Sequence, residues 1–276
     1  MKVAFIGLGI MGMPMANNIA KKFDVIGYDV VKKDTDFPFA SSYQEAIEDA
    51  NVIISMVPKN EHAIALYDTL LPLLKPGQIC IEMSTIAVSV HNEIVKKLEA
   101  KGVEVLDCPV VKSQPAAIKG ELGIYVGGKA NIYKEVLPIL SCMGSNIIYL
   151  GSHGSGLTMK ILHNALVGEI QNGVNEILGL AAACNLDLNN VVTALGYGGA
   201  SCFYLDTKAK NIISNTYPTA FSVANMNKDV HFAKELAMEK NKDCKGLDVV
   251  VSIYEQAMKD NLDKEDFSAS YKVVNK

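Results

Sequence analysis

Lys160 and Asn164 stand four residues apart in an apolar stretch that reads as helix, so both fall on one helical face. Gly154 and Gly156 lead into that stretch and permit close approach of a ligand. A lysine at this place can hold a developing oxyanion and carry its proton, while the amide orients the reacting group. A free lysine, with a pKa of about 10.4, is too basic for this near neutrality. Burial or a nearby positive charge would lower it. Lys228, in Asn227-Lys228-Asp229, is the candidate second cation. From spacing alone, the plainer reading of a solvated helical lysine with an asparagine one turn on is favoured.

A second set lies at the start of the chain. Gly7-Leu8-Gly9-Ile10-Met11-Gly12 has the pattern GxGxxG, preceded by a strand-like run at Lys2–Ile6 and followed by a helical stretch from about Met11 to Lys22. In that context each glycine has a task. Gly7 permits the tight turn, Gly9 lets a pyrophosphate approach the backbone, and Gly12 lets helix and strand pack closely. Ile10 and Met11 complete the loop that faces the phosphates, which sit on free N–H groups of the helix N-terminus. Asp29 closes a second strand pattern at Asp24–Tyr28. A carboxylate there accepts from the ribose 2′-hydroxyl and repels a 2′-phosphate. NAD is therefore the expected cofactor. NADP is not excluded, because Lys32 and Lys33 lie close by.

These residues must be positioned by elements. Further strand patterns fall at Asn51–Val57, Gln78–Met83, Val103–Leu106, Leu122–Val126 and Asn146–Leu150. Amphipathic stretches such as Glu61–Leu74 and Val88–Lys101 lie between them. This alternation predicts βαβ units and a parallel sheet. From about Ser155 to Ala183 the apolar spacing is helical, and helices continue to about Met258, with breaks near Gly196–Gly199 and Asn211–Thr216. The expected fold is an α/β Rossmann-type domain over residues 1–155 followed by an all-α domain over 156–276.

Composition agrees. The chain has 276 residues, 49% of them hydrophobic and 20% charged, with a formal net charge of −4. It has no basic block for a nucleic-acid backbone and no apolar run long enough to span a bilayer. The six cysteines are scattered without a CxxC pair and read as free thiols, so no metal site is expected. No secretory signal pattern is present, and a cytoplasmic location is the expectation.

Taken in order, GLGIMGMPMA at Gly7–Ala16, MVP at Met56–Pro58, MST at Met83–Thr85, DCPV at Asp107–Val110, GSGLTMKILHN at Gly154–Asn164 and NKD at Asn227–Asp229 resemble the β-hydroxyacid dehydrogenases over essentially the whole chain. The resemblance implies that Lys160 is the catalytic lysine and Asn164 a substrate-orienting partner. It implies that Lys228 lies near nicotinamide and substrate, and that Val57, Pro58 and Thr85 line the cofactor cleft. It further implies a small anionic hydroxyacid or semialdehyde as substrate, and a helical domain that drives homodimer or homotetramer formation. Imine reduction, or a non-catalytic dinucleotide-binding role, uses the same fold; Lys160 argues for alcohol chemistry.

One stretch departs from the family. The usual pattern after DxPV is Ser-Gly-Gly, whose hydroxyl and N–H groups bind the substrate carboxylate, whereas this chain has Val111-Lys112-Ser113. In one reading Lys112 enters the substrate pocket and pairs with a second acidic group such as a sulfonate, phosphate or carboxylate. In the other it points to solvent and only the backbone is used. His153 and His163 read as packing or surface residues; His231, three residues after Lys228, reads as a neighbour of the site or, more plainly, as another such residue. Gly196, Gly198 and Gly199, with Ser201 and Phe203, read as a pocket loop or a plain helix connection.

Overall fold

The computed structural model describes residues 1–276, which divide into two compact units, Met1–Lys160 and Ile161–Lys276. In the first unit, strands and helices follow one another as β1 (Lys2–Ile6), α1 (Gly12–Ala20), β2 (Asp24–Tyr28), α2 (Tyr43–Ile47), β3 (Val52–Ser55), α3 (Asn60–Leu70), β4 (Ile79–Glu82) and α4 (Val88–Glu99). They continue as β5 (Glu104–Asp107), β6 (Val110–Val111), α5 (Gln114–Lys119), β7 (Leu122–Gly128), α6 (Ala130–Leu140) and β8 (Gly144–Gly151). Helix α7 (Ser155–Ala183) begins in this unit and runs on into the next.

The sheet runs β2-β1-β3-β4-β5-β7, with β6 and β8 also paired to β7. Strands β1 to β5 are parallel, as the βαβ pattern predicts. β7 is not, and the sheet is therefore mixed. β5 and β6 face β7 in one antiparallel register, with Asp107 opposite Gly127 and Val110 opposite Ile124. The physical reason is connection length. A parallel return needs a crossover of a dozen or more residues, and only residues 112–121 link β6 to β7.

Alternation along the strands builds a core on each face. Val3, Phe5, Val52, Ile54, Ile79 and Ile81 pack with Met15 and Ile19 of α1 and Val136 and Ile139 of α6. Ala4, Ile6, Ile53, Cys80 and Val105 pack with Ile47, Leu66, Leu70, Ile94 and Leu98 of α2 to α4. Burial on both faces is why these strands read as continuous apolar runs.

The second unit is helical, with α8 (Leu188–Leu195), α9 (Phe203–Ile213), α10 (Val223–Glu239), α11 (Lys245–Lys259), a 3₁₀ turn (Phe267–Ser270) and α12 (Tyr271–Val274). Val174 and Leu178 of α7 pack against Leu205, Ala209 and Ile212 of α9. Asp187 caps α8 by accepting from Asn190 N at 2.9 Å, and Ser222 caps α10 by accepting from Asn225 N at 3.2 Å. The break expected at Asn211–Thr216 begins later, because Asn211 and Ile212 are buried and α9 holds to Ile213. No helix is long and apolar enough to cross a membrane.

Candidate active site

The strand order reverses around β1, which has β2 on one side and β3 on the other. Ligands of such sheets bind beyond the carboxyl ends of the strands at this switch point. Gly7 leaves β1 with φ +95°, and a side chain there would overlap the Met56 carbonyl at the end of β3. A side chain at Gly12 would overlap the Gly7 carbonyl. Gly9 differs, because a Cβ there would meet no atom within 4 Å. The protein's own packing does not require glycine at that position, so the open space suits an external group. No side chain caps α1; Met13 N donates to the Gly9 carbonyl at 3.1 Å and Pro14 has no N–H, so the N–H groups left to face a phosphate are those of the loop and of Gly12. The residues present fit a dinucleotide.

Asp29 follows β2. Its Oδ2 accepts from Leu8 N at 2.8 Å and its Oδ1 from Val31 N at 2.9 Å. The carboxylate therefore ties the glycine-rich loop to the end of β2, and each oxygen retains a lone pair for a hydroxyl. Ile10 is exposed and Met11 half-buried on the loop.

Val57, Pro58 and Thr85 sit in the loops that follow β3 and β4. Val57 N donates to Ser84 Oγ at 2.7 Å, which joins the two loops. Beneath them lies a buried network absent from the sequence reading. Ser84 N donates to Glu82 Oε1 at 2.7 Å, Ser55 Oγ donates to Glu82 Oε2 at 2.9 Å, and Ser55 Oγ is 2.7 Å from the Tyr67 hydroxyl. Burial pushes the Glu82 carboxyl above the usual range, against the hydrogen bonds from Ser84 and Ser55, which pull it down. The only sequence signal was an acid closing an apolar strand, Ile79-Cys80-Ile81-Glu82.

Asp107 ends β5 with no solvent exposure. Its Oδ1 accepts from Gly154 N at 2.9 Å and its Oδ2 from Leu157 N at 2.8 Å. It thus caps the helix that carries Lys160. A side chain at Gly127 would overlap the Asp107 carboxylate, and one at Gly156 would come within 2.6 Å of the Tyr125 carbonyl and 2.7 Å of that of Asp107. Burial alone would raise the Asp107 pKa; His91 beside it and the N–H groups of Leu157 and Gly154 outweigh this and hold it below the usual range. The DCPV motif carried this residue into the resemblance without a role.

Lys160 lies on α7 with 8% of its surface exposed, and Asn164, one turn on, with 5%. Lysine is seldom buried to that degree without a task. Within the second unit, Asn164 Nδ2 donates to Asp229 Oδ2 at 2.5 Å. Lys228 Nζ is 3.3 Å from Asp229 Oδ1 and lies 5.3 Å from the centre of the Phe232 ring. Asp229 thus links Asn164 and Lys228, a connection across sixty-odd residues of sequence that spacing does not disclose.

Val111 pairs with Gly123, and Lys112 takes φ +80°, the left-handed region where the family pattern has glycine. The Lys112 side chain is exposed, and its ammonium donates to the Glu121 carbonyl at 2.6 Å. Ser113 precedes α5, and its hydroxyl does not cap that helix. His231 binds the Asn227 carbonyl and Glu255 at 2.7 and 3.0 Å. The Gly196–Ser201 segment joins α8 to α9.

Known proteins resemble this chain over essentially its whole length. Residues 2–151 match the family model described as the NAD binding domain of 6-phosphogluconate dehydrogenase. Residues 154–274 match that described as NAD-binding of NADP-dependent 3-hydroxyisobutyrate dehydrogenase. The mitochondrial 3-hydroxyisobutyrate dehydrogenase of Rattus norvegicus is 32% identical over 99% of this chain and 86% of its own. The NAD-dependent L-serine dehydrogenase of Pseudomonas aeruginosa is 29% identical over 99% of this chain and 98% of its own. The solved Mycobacterium tuberculosis 3-hydroxyisobutyrate dehydrogenase with L-serine superposes with a TM-score of 0.92 at 26% identity, covering 100% of this chain and 99% of that one. The chain belongs to the β-hydroxyacid dehydrogenase family and is an NAD(P)-binding oxidoreductase acting on the CH–OH group of hydroxyacids.

Proposed function

We propose that the protein interconverts a small β-hydroxyacid and its semialdehyde, with NAD as the preferred cofactor. The observation that carries this reading is Lys160, buried to 8% exposure one helical turn from Asn164. The nicotinamide supplies the hydride acceptor. Gly7, Gly9, Ile10, Met11 and Gly12 hold the pyrophosphate on backbone N–H groups, Asp29 accepts from the ribose, and Val57, Pro58 and Thr85 border the cofactor beyond β3 and β4. The family resemblance assigns Lys228 to the cofactor as well.

Lys160 takes the hydroxyl proton in oxidation and returns it in reduction. Asn164 has its Nδ2 engaged by Asp229, which leaves Oδ1 to accept from a donor on the substrate. Val111, Lys112 and Ser113 receive the substrate carboxylate. Because the Lys112 ammonium already binds the Glu121 carbonyl, the geometry favours a role for the backbone and the Ser113 hydroxyl over pairing with a second anion. Exposed Leu162, Leu166, Ile177 and Leu180 share one face of α7, opposite to that of Lys160 and Asn164, and this apolar face suits self-association as a homodimer or homotetramer.

The test is cofactor reduction with a panel of mono-acidic and doubly acidic β-hydroxyacids, run on wild type and Lys160→Ala. The wild type is expected to turn over a mono-acid. Lys160→Ala is expected to lose turnover by about 10²–10⁴-fold with dinucleotide affinity within twofold. Near-normal turnover in the variant refutes the assignment.

A further inference from the structure

His91 on α4, Asp107 at the end of β5 and His153 in the turn between β8 and α7 come together. One ligand-type atom from each lies within 4.8 Å of the others. His91 and Asp107 have no solvent exposure. Both ring nitrogens of His91, and both of His153, are buried without a hydrogen-bond partner. His91 Nε2 lies 3.4 Å from Asp107 Oδ1 but is not aligned to bond to it. A buried imidazole without a partner is costly, and native structures usually satisfy such groups. The reading of His153 as a packing or surface residue, with no metal expected, does not explain this arrangement.

We propose that His91, Asp107 and His153 form a binding site for one divalent transition-metal ion, of which Zn²⁺ best suits two imidazoles and a carboxylate. Tetrahedral Zn²⁺ has bonds of about 2.0–2.1 Å, which places its ligand atoms roughly 3.3 Å apart. The three donors therefore need to close by about 1.5 Å at most, which rotation of the His153 ring can provide, since its side chain is 21% exposed. That exposure also gives an entry path and leaves a fourth position for water. Charge is favourable too. Glu99 is 3.4 Å from His153 Nε2, and Glu99 and Glu104 share the single cation Lys129 at 3.0 and 2.7 Å. With Asp107 the acids outnumber the cation. The two Asp107 oxygens that cap α7 each keep a lone pair for an ion. An ion here would tie α4, β5 and the start of α7 to one point, and so act as a structural clamp on the helix of Lys160.

The full-length protein, freed of metal with a chelator and dialysed, is titrated with Zn²⁺ by calorimetry and with Co²⁺ by visible absorption. We expect one ion per chain, a tetrahedral or five-coordinate Co²⁺ spectrum without a thiolate band, and a higher melting temperature with Zn²⁺. His153→Ala, at the partly exposed position, is expected to keep the circular dichroism spectrum and weaken Zn²⁺ at least 10-fold, on the order of the loss from disturbing a metal site. His91→Phe is expected to do the same. If His91→Phe fails to fold, His153→Ala alone decides. Absence of stoichiometric binding, wild-type affinity in His153→Ala, or a thiolate charge-transfer band overturns the proposal.

Discussion

Replacing Asp107 by asparagine removes a buried charge while keeping its shape. In the wild type, the two carboxylate oxygens accept from Gly154 N and Leu157 N at 2.9 and 2.8 Å. A hydrogen bond to a charged group contributes about 1.5–3 kcal/mol, against about 1 for a neutral one. Asparagine keeps one acceptor, so one bond falls to the neutral class. The other N–H faces an NH₂ group and is left unsatisfied. The release of a buried charge offsets part of this, and the net loss is about 2–3 kcal/mol. Urea unfolding followed across pH measures it. The folded pKa of Asp107 lies below its ordinary value of 3.8. Its contribution is therefore fully present above about pH 4–5 and is lost as pH falls through the depressed value. The difference between wild type and Asp107→Asn should be full at neutral pH and shrink towards pH 3. Turnover should fall as well, because Leu157 lies three residues before Lys160, while dinucleotide affinity holds. A stability difference below about 0.5 kcal/mol, or one that does not shrink in acid, would refute the capping role.

Three further substitutions separate roles in the site. Gly9→Ala should leave the melting temperature unchanged, since its Cβ meets nothing within 4 Å, yet weaken dinucleotide binding at least ~10-fold, of the order expected when a backbone approach to pyrophosphate is blocked. Gly12→Ala, whose Cβ overlaps the Gly7 carbonyl, should destabilise the fold itself, as read by thermal melting. Lys112→Gly should relieve a left-handed residue at φ +80° and stabilise the protein by about 0.5–1 kcal/mol in urea unfolding. Its kcat/KM should shift alike for mono-acidic and doubly acidic substrates; a selective loss for the doubly acidic ones would instead show Lys112 reading a second anion.

Much of the site was legible because its chemistry is local. GxGxxG between a strand and a helix determines a turn, a close approach and a helix N-terminus within six residues; Gly7 and Gly12 meet close backbone neighbours, and Gly9 faces open space. Lys160 and Asn164 share a face through helical period alone, and the long apolar spacing from Ser155 to Ala183 is the span of α7. What sequence could not supply are relations that only folding creates. β7 turns antiparallel because the link from β6 is too short, which periodicity does not report. Asp107 reaches forty-seven residues on to cap α7, and Asp229 reaches back to orient Asn164. Glu82 becomes the centre of a buried network only when β3 and β4 lie side by side. Spacing likewise does not disclose that the Lys112 ammonium donates to the Glu121 carbonyl. Motifs and periods thus point to a cofactor loop and to Lys160 as the proposed reacting lysine. Tertiary structure decided which buried charges hold them, because a hydrogen bond between distant residues has no period in the chain.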